Sequence, residues 1–594
     1  MALRVGARLS LVHCFFAGGR NMETRRKFRV TVFGAISTLC ILSFAVIAPP
    51  ARTGDEPVQI QVRADHPGAE LRPIWNYFGY DEPNYTYAPN GRKLLNELQA
   101  LSAEPIYVRA HNLFTTGDGS ASLKWGSTNV YTEDASGKPI YDFKIVDRIF
   151  DTYHELGIRP DVELGFMPQA LSTHPEPYRH TFPNTSVQDI YTGWAYPPTN
   201  YDKWGDLVFH FVQHLRQRYG DDEVRTWLWE VWNEPDIGYW KGTREEYFRL
   251  YDVSVETVLR ALPDARVGGP ETTGPLGDSS GAQFLRAFLQ HCAHEKNYAT
   301  GKTGSRLDFI SFHPKGSPAL VDGHVRMGIS HQLAVVETGF QIVKSFPEFQ
   351  STPIILGESD PEGCAACSAK EHPANAYRNG PLFASYTAAI MNQISALARK
   401  DNANLRGAVT WSFEFEDQPW FLGYRELATN GVDKPVLNAF RMFGLLRGAR
   451  LDVTSSGAVP LSDFLASGVR GRADVQAVAA RRDREISVMM WNYHDDDRPA
   501  PDASVNLVVS GVPADAKRVL VEQFRVDDEH SNSYAVWQHL GSPQQPTPEQ
   551  YRMIEAAGRL EQSASPEWKD TTNSDLKMNL ALPRQGLCLV RISW

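Results

Sequence analysis

The sequence predicts a (β/α)8 barrel followed by an antiparallel β-sandwich. Three observations carry this prediction. Eight short apolar runs recur between residues 73 and 413, helical patterns fill the gaps between them, and after about Gly448 the texture changes to short alternating stretches. The eight runs are 73–79 (PIWNYFG), 105–111 (PIYVRAH), 159–166 (RPDVELGF), 226–233 (TWLWEVWN), 266–270 (RVGGP), 308–313 (DFISFH), 353–358 (PIILGE) and 407–413 (GAVTWSF). Most stay apolar for several residues and turn polar at the C-terminal end, as buried parallel strands do where they open onto a functional face.

Helical patterns follow the strands. After the fourth, Thr243-Arg-Glu-Glu246 has the form of a capping box. Tyr247, Tyr251, Val255, Val258 and Leu262 then recur at helical spacing, and Pro263 ends the run. Similar patterns cover 145–156 and 386–398. A doubly wound open sheet would carry a Gly-rich phosphate turn after its first strand, and none is present. Beyond Gly448, the stretches 485–493, 504–509, 518–526, 576–582 and 586–593 alternate with period two, the pattern of an antiparallel sandwich. Residues 58–64 (VQIQVRA) alternate as well and are expected to pair with it. The predicted divisions are a leader over 1–54, a strand segment over 55–70, the barrel over 71–447 and the sandwich over 448–594.

The leader has the order of an export signal. Arg25, Arg26, Lys27 and Arg29 precede an apolar run to Ala48, then Pro49-Pro50-Ala51. Thr24-Arg25-Arg26-Lys27-Phe28 resembles a twin-arginine signal, and Met22 would begin a more usual leader. The alternative is an uncleaved anchor, since the run nears the lower length limit for spanning. The protein is therefore expected to be periplasmic or secreted. A net charge of −10, with both signs interspersed, argues against a nucleic-acid surface, which needs a basic footprint. Outside the leader stand Cys292, Cys364, Cys367 and Cys588, too few for a disulfide scaffold in a chain this long. No second pair completes a zinc set around Cys364-Ala-Ala-Cys367, so a local disulfide or two plain thiols is the expectation. His372 nearby adds no metal site.

The chemistry sits at two strand ends. The fourth ends Trp232-Asn233-Glu234-Pro235 and the seventh Gly357-Glu358-Ser359-Asp360. Both ends open at the barrel mouth, so two carboxylates can reach one bound sugar. Glycoside hydrolysis needs such a pair, one carboxyl to protonate the departing oxygen and one to attack the anomeric carbon or activate water. Asn233 can hydrogen-bond the hydroxyl beside that carbon. An oligosaccharide is the expected partner; two carboxylates and water suffice, with no metal or organic cofactor.

Several motifs resemble glycoside hydrolase family 39, which holds bacterial β-xylosidases and α-L-iduronidases. They are Phe78-Gly-Tyr-Asp-Glu-Pro-Asn-Tyr-Thr-Tyr87, Val108-Arg-Ala-His-Asn112, Thr115-Thr-Gly-Asp-Gly119, Trp232-Asn-Glu-Pro235, Phe312-His-Pro-Lys-Gly316 and Gly357-Glu-Ser-Asp-Pro-Glu-Gly-Cys364. The resemblance is to the bacterial xylosidase branch. It implies a retaining mechanism with Glu234 as acid/base and Glu358 as nucleophile, and a β-sandwich accessory domain. His111 and Asn112 match the family's His-bearing strand end, which faces sugar hydroxyls. His313 and Lys315 stand where many of its xylosidases carry a Tyr. His-Pro-Lys-Gly is closer to the iduronidase branch, whose Lys meets a substrate carboxylate, although Lys315 could equally pair with a nearby acid. After the eighth strand, Glu416, Trp411 and Trp420 are candidates for the sugar's distal hydroxyls and faces. Asp81 and Glu82 after the first strand are weaker candidates, and Trp240 is a candidate for the leaving-group side.

The leading expectation is an exo-acting β-D-xylosidase on xylo-oligosaccharides. An α-L-arabinosyl or uronyl glycosidase of the same fold is the alternative, and a catalytically silent carbohydrate-binding protein a more distant one.

Overall fold

The computed structural model describes residues 56–180, 190–191 and 193–594. The predicted leader lies outside the described residues. Eight parallel strands close into a barrel: β1 (Tyr77–Tyr80), β2 (Tyr107–Ala110), β3 (Arg159–Leu164), β4 (Leu228–Val231), β5 (Arg266–Thr272), β6 (Phe309–Phe312), β7 (Ile354–Leu356) and β8 (Leu405–Thr410). The ring closes where β8 pairs with β1, Val409 opposite Tyr77. The strands are short, and β6 and β7 are buried along their whole length.

A helix packs outside after each strand: α1 (Pro89–Gln99), α2 (Lys144–Leu156), α3 (Tyr201–Tyr219), α4 (Arg244–Ala261), α5 (Ser280–His294), α6 (Ile329–Lys344), α7 (Pro381–Asp401) and α8 (Pro435–Gly444). Local chemistry sets their ends. The Thr243 hydroxyl accepts from Glu246 N at 3.1 Å, and Thr243 N donates to the Glu246 carboxylate at 2.7 Å, a complete capping box opening α4. Gly157, left-handed at φ 69°, closes α2.

The C-terminal region departs in detail from a simple antiparallel sandwich. Eight strands follow the barrel: β9 (Ala449–Ser455), β10 (Asp474–Arg482), β11 (Glu485–Tyr493), β12 (Ala503–Ser510), β13 (Arg518–Val526), β14 (Glu561–Asp570), β15 (Leu576–Leu582) and β16 (Leu587–Ser593). With the N-terminal strand Val58–Glu70 they make one nine-stranded sheet, ordered β14-β13-β16-β11-β10-β9-Val58–Glu70-β12-β15. The N-terminal strand runs antiparallel to β9 and parallel to β12. It is thus an inner strand, and its insertion creates the parallel pair. Val519 and Val521, near one edge of the sheet, share an apolar cluster with Leu576 and Met578 at the other, so the sheet curls over its own core. Its other face, through Trp491 and Tyr493, joins the barrel's core, and Tyr386 of α7 meets Tyr493 edge-on.

Ile60, 1% exposed, lies in this inner strand between Ser455 and Leu507. Ile60→Ala should lower stability by about 2–5 kcal/mol through lost burial and a residual cavity. A fall in the urea midpoint would check this, and an unchanged midpoint would show that the strand is dispensable.

Candidate active site

Loops at the C-terminal ends of the strands enclose a cavity of about 840 Å3. Asp81, His111, Asn233, Glu234, Lys315, Glu358 and Trp411 all line it. The backbone that delivers Glu234 is constrained. Trp232 and Glu234 adopt left-handed φ of 75° and 42°, a conformation side chains take only when the surroundings over-determine it. Here the surroundings are visible: Trp232 is fully buried with its indole donating to Tyr239 O at 3.0 Å, and Glu234 N donates to Glu271 O at 2.8 Å. On the opposite wall, Gly357 precedes Glu358 because a Cβ there would overlap the Glu271 carboxylate. Gly79 answers the same need beneath the Trp411 ring.

The two carboxylates converge. An oxygen of Glu234, a ring nitrogen of His313 and an oxygen of Glu358 all lie within 4.8 Å of one another. His313 is fully buried and bridges two acids. Its Nδ1 donates to Glu234 at 2.9 Å and its Nε2 to Glu271 at 2.6 Å. Burial opposes its charge, but Glu358, Glu234 and Glu271 outweigh it and raise the imidazole to about 9. Glu358 has Lys315 Nζ at 2.5 Å and Arg109 Nη1 at 3.8 Å, with the His111 ring, its Nε2 at 3.6 Å, beside it. Burial alone would favour its neutral form. Lys315, His313, His111 and Arg109 together reverse that and hold the carboxyl well below the usual range. The three convergent ligand atoms could face a cation, but the Lys315 ammonium already fills that place against Glu358.

Beneath the site runs a layer of buried charge. Arg109, 1% exposed, pairs with Glu230 and with Glu163 at 2.9 Å. It donates from Nη2 to Asn233 Oδ1 at 3.2 Å and stacks under Trp411, 5.0 Å from the ring centroid. His111 bonds Asp81 at 3.0 Å, which also takes Lys124 and the Trp411 indole at 3.2 Å. Lys124 and His111 draw the Asp81 carboxyl well below its ordinary value against the effect of burial.

Some sequence candidates lie elsewhere. Glu416 does not face the cavity: its carboxylate accepts from Asn90 N at 2.9 Å and Gly91 N at 3.1 Å, capping the N-terminus of α1. Asn112, at φ 63°, is buried and spends its amide on Asp81 O and Thr115 Oγ1, shaping the turn after β2. His313 stands behind the cavity wall rather than in it. Glu82 is buried and accepts from Lys124 N at 2.5 Å. Trp240 is buried with its indole on Thr243 O, and Trp420 packs against Trp537 and Ile554. Cys364 and Cys367 form a disulfide, and with His372 they line the cavity rim.

The model of glycosyl hydrolases family 39 matches residues 58–573. The chain belongs to that family. Members with similar sequences include a β-xylosidase of Geobacillus stearothermophilus, 26% identical over 82% of this chain and 86% of its own, and an α-L-iduronidase of Mus musculus, 26% identical over 86% and 77%. The fold is shared with the bacterial orthologue of human α-L-iduronidase, at a TM-score of 0.72 and 21% identity, covering 90% of this chain and 84% of that one. The chain is thus a family 39 glycosidase acting on carbohydrate.

Sequence reasoning passed over Arg109, Lys124, Glu163, Glu230, Tyr239 and Glu271. A signal existed for three of them. Arg109, Glu163 and Glu230 are charged residues inside otherwise apolar strands, and charge is buried there only when paired. Glu271 stands one residue past the fifth apolar run, and Lys124 and Tyr239 carry no such mark.

His313 has an ordinary value of 6.5 and is raised to about 9 by the fold. Its protonated form therefore stabilises the protein fully below about pH 6.5, and that contribution disappears as pH climbs through about 9. His313→Asn should lose stability on the order of 3 kcal/mol at neutral pH and show a shallower decline between pH 7 and 10. Thermal melts across that range would check both; parallel curves for the two proteins would refute it.

Proposed function

We propose that this family 39 glycosidase is a retaining, exo-acting β-D-xylosidase. The approach of Glu234 and Glu358 carries this reading, because carboxyl groups about 5–5.5 Å apart leave no room for an inverting water. Glu358, held ionised, attacks the anomeric carbon. The bond to the departing oxygen breaks as Glu234 protonates that oxygen. Water then replaces the enzyme ester: Glu234 takes its proton, its oxygen bonds to the anomeric carbon, and Glu358 leaves as carboxylate. His313 donates to one oxygen of Glu234, leaving the other to carry the transferred proton. Arg109 occupies the Asn233 Oδ1, which turns the Asn233 Nδ2 toward the sugar's 2-hydroxyl.

Exo action is supported by Asp81, His111, Lys124 and Trp411, which wall one end of the cavity with groups suited to a terminal sugar. They do what Glu416 was expected to do. A neutral pentose is supported by Lys315, whose ammonium is engaged by Glu358 and by Asp360 at 3.0 Å. A uronyl substrate is the second reading, because Lys315 still lines the cavity, 17% exposed, and could turn to a carboxylate. With export by the leader, the reading places the enzyme in the periplasm or medium.

Glu358→Gly should abolish turnover of 4-nitrophenyl β-D-xyloside, and azide should restore part of it. The attack by azide on the face vacated by Glu358 yields the α-configured product of a single displacement, whereas Glu234→Ala with azide yields the β-configured one. NMR of the adducts checks the two roles, and the reverse pattern would exchange them. Glu234→Gln should cost about 10^2–10^4-fold on poorly departing alcohols. A nitrophenyl panel decides the sugar: release from the β-xyloside supports the first reading, and release from a β-glucuronide or α-iduronide but not the xyloside would favour the second.

A further inference from the structure

We propose that the part of the cavity beside Glu234 is a leaving-group subsite that favours apolar alcohols and phenols over a second sugar. The proposal rests on the glycosidase roles assigned above and extends them to the other half of the substrate. Because Glu234 protonates the departing oxygen, the leaving group lies on its side of the cleft. Among the cavity-lining residues on the loops after β4, β5 and β6 and the first half of α6 are the apolar Ile237, Leu276, Pro318 and Val335. Ile237 N donates to Glu234 O at 3.2 Å, which places that side chain one turn from the acid. Val335 packs so closely against Gly274 that a Cβ there would come within 3.1 Å of it.

Several polar groups of this half are held inside the protein. Asp236 holds the Thr273 hydroxyl, Thr273 N at 2.8 Å and Ser280 Oγ at 2.9 Å, binding the β4 and β5 loops together. Ser279 Oγ donates to Gly274 O at 3.0 Å and accepts from Leu276 N at 3.1 Å. Asn375 Nδ2 donates to Cys367 O at 2.9 Å, and His331 Nδ1 faces Lys315 O at 3.1 Å. The half that receives the terminal sugar is the opposite case, crowded with His111, Asp81, Lys124 and Asn233. A second sugar would bring several hydroxyls against Ile237, Leu276 and Val335, and each hydroxyl stripped of water without a partner costs binding energy. An alkyl or aryl group gains there by burial alone, about fourfold in rate constant for each methylene removed from water.

The test uses the full chain and methyl, butyl and octyl glycosides of the sugar found by the nitrophenyl panel, below micelle concentrations, with the disaccharide of that sugar alongside. The three alcohols depart with nearly equal ease, so differences report the subsite. kcat/KM should rise at least about tenfold from methyl to octyl, and the disaccharide should fall below the butyl glycoside. Leu276→Ser and Ile237→Thr should each lower the octyl-to-methyl ratio about threefold or more. The ratio is internal to each variant, so a loss of folded enzyme cancels. A flat alkyl series, or a disaccharide cleaved better than the octyl glycoside, overturns the subsite and leaves the glycosidase roles standing. A panel without turnover of any glycoside overturns both.

Discussion

Arg109 is a full positive charge sealed inside the barrel, and burial of that kind is tolerated only with paired acids around it. Glu163 and Glu230 supply the pairing from the neighbouring strands β3 and β4. Four of its consequences reach the cavity. The guanidinium fixes the Asn233 amide, supports the Trp411 ring, touches the His111 ring at 2.9 Å and adds to the cations around Glu358. Removing Arg109 would leave carboxylates uncompensated in the core and unmoor the cavity floor at once.

Above this floor the electrostatics separates two glutamates that stand close together. Glu358 faces Lys315, His111, Arg109 and His313, so its charge is favoured despite burial. Glu234, on the more open side of the cleft, is contacted by His313. The cations gathered around Glu358 favour its ionised form. His313 couples the pair, because the same ring is anchored by Glu271 from behind. Glu271 in turn requires Gly357, so the carboxylate on β7 and the histidine on β6 are positioned by a contact neither makes directly with substrate.

The cavity lining is mixed: Asp81, His111 and Lys124 are joined through the Asp81 carboxylate, while Ile237, Leu276, Pro318 and Val335 add apolar surface. The two sets follow the barrel's own order. The strand ends of β1, β2 and β8 contribute the polar wall, while loops after β4, β5 and β6 contribute aliphatic side chains. Hydrogen bonds within those loops hold their shape and in doing so consume part of their polarity.

Much of this was legible in the chain. Periodicity and polar strand ends determined eight strands, three of their helices, the Thr243–Glu246 cap, and the addresses of Glu234 and Glu358, because these depend on residues close in sequence. Strand β10 (DVQAVAARR) escaped notice, since its alanines favour strands weakly, and β14 is polar and exposed at the sheet's edge. Side-chain direction and partner choice were decided only by the tertiary structure. Glu416 follows a barrel strand as a ligand for sugar would, yet the free N–H groups of α1, distant in sequence, claim it. Glu271 stands one residue past the fifth apolar run, and closure of the ring brings it against His313 and Gly357. A strand end tells that a side chain reaches the mouth of the barrel; which neighbour it meets there depends on the loops and helices that fold over it.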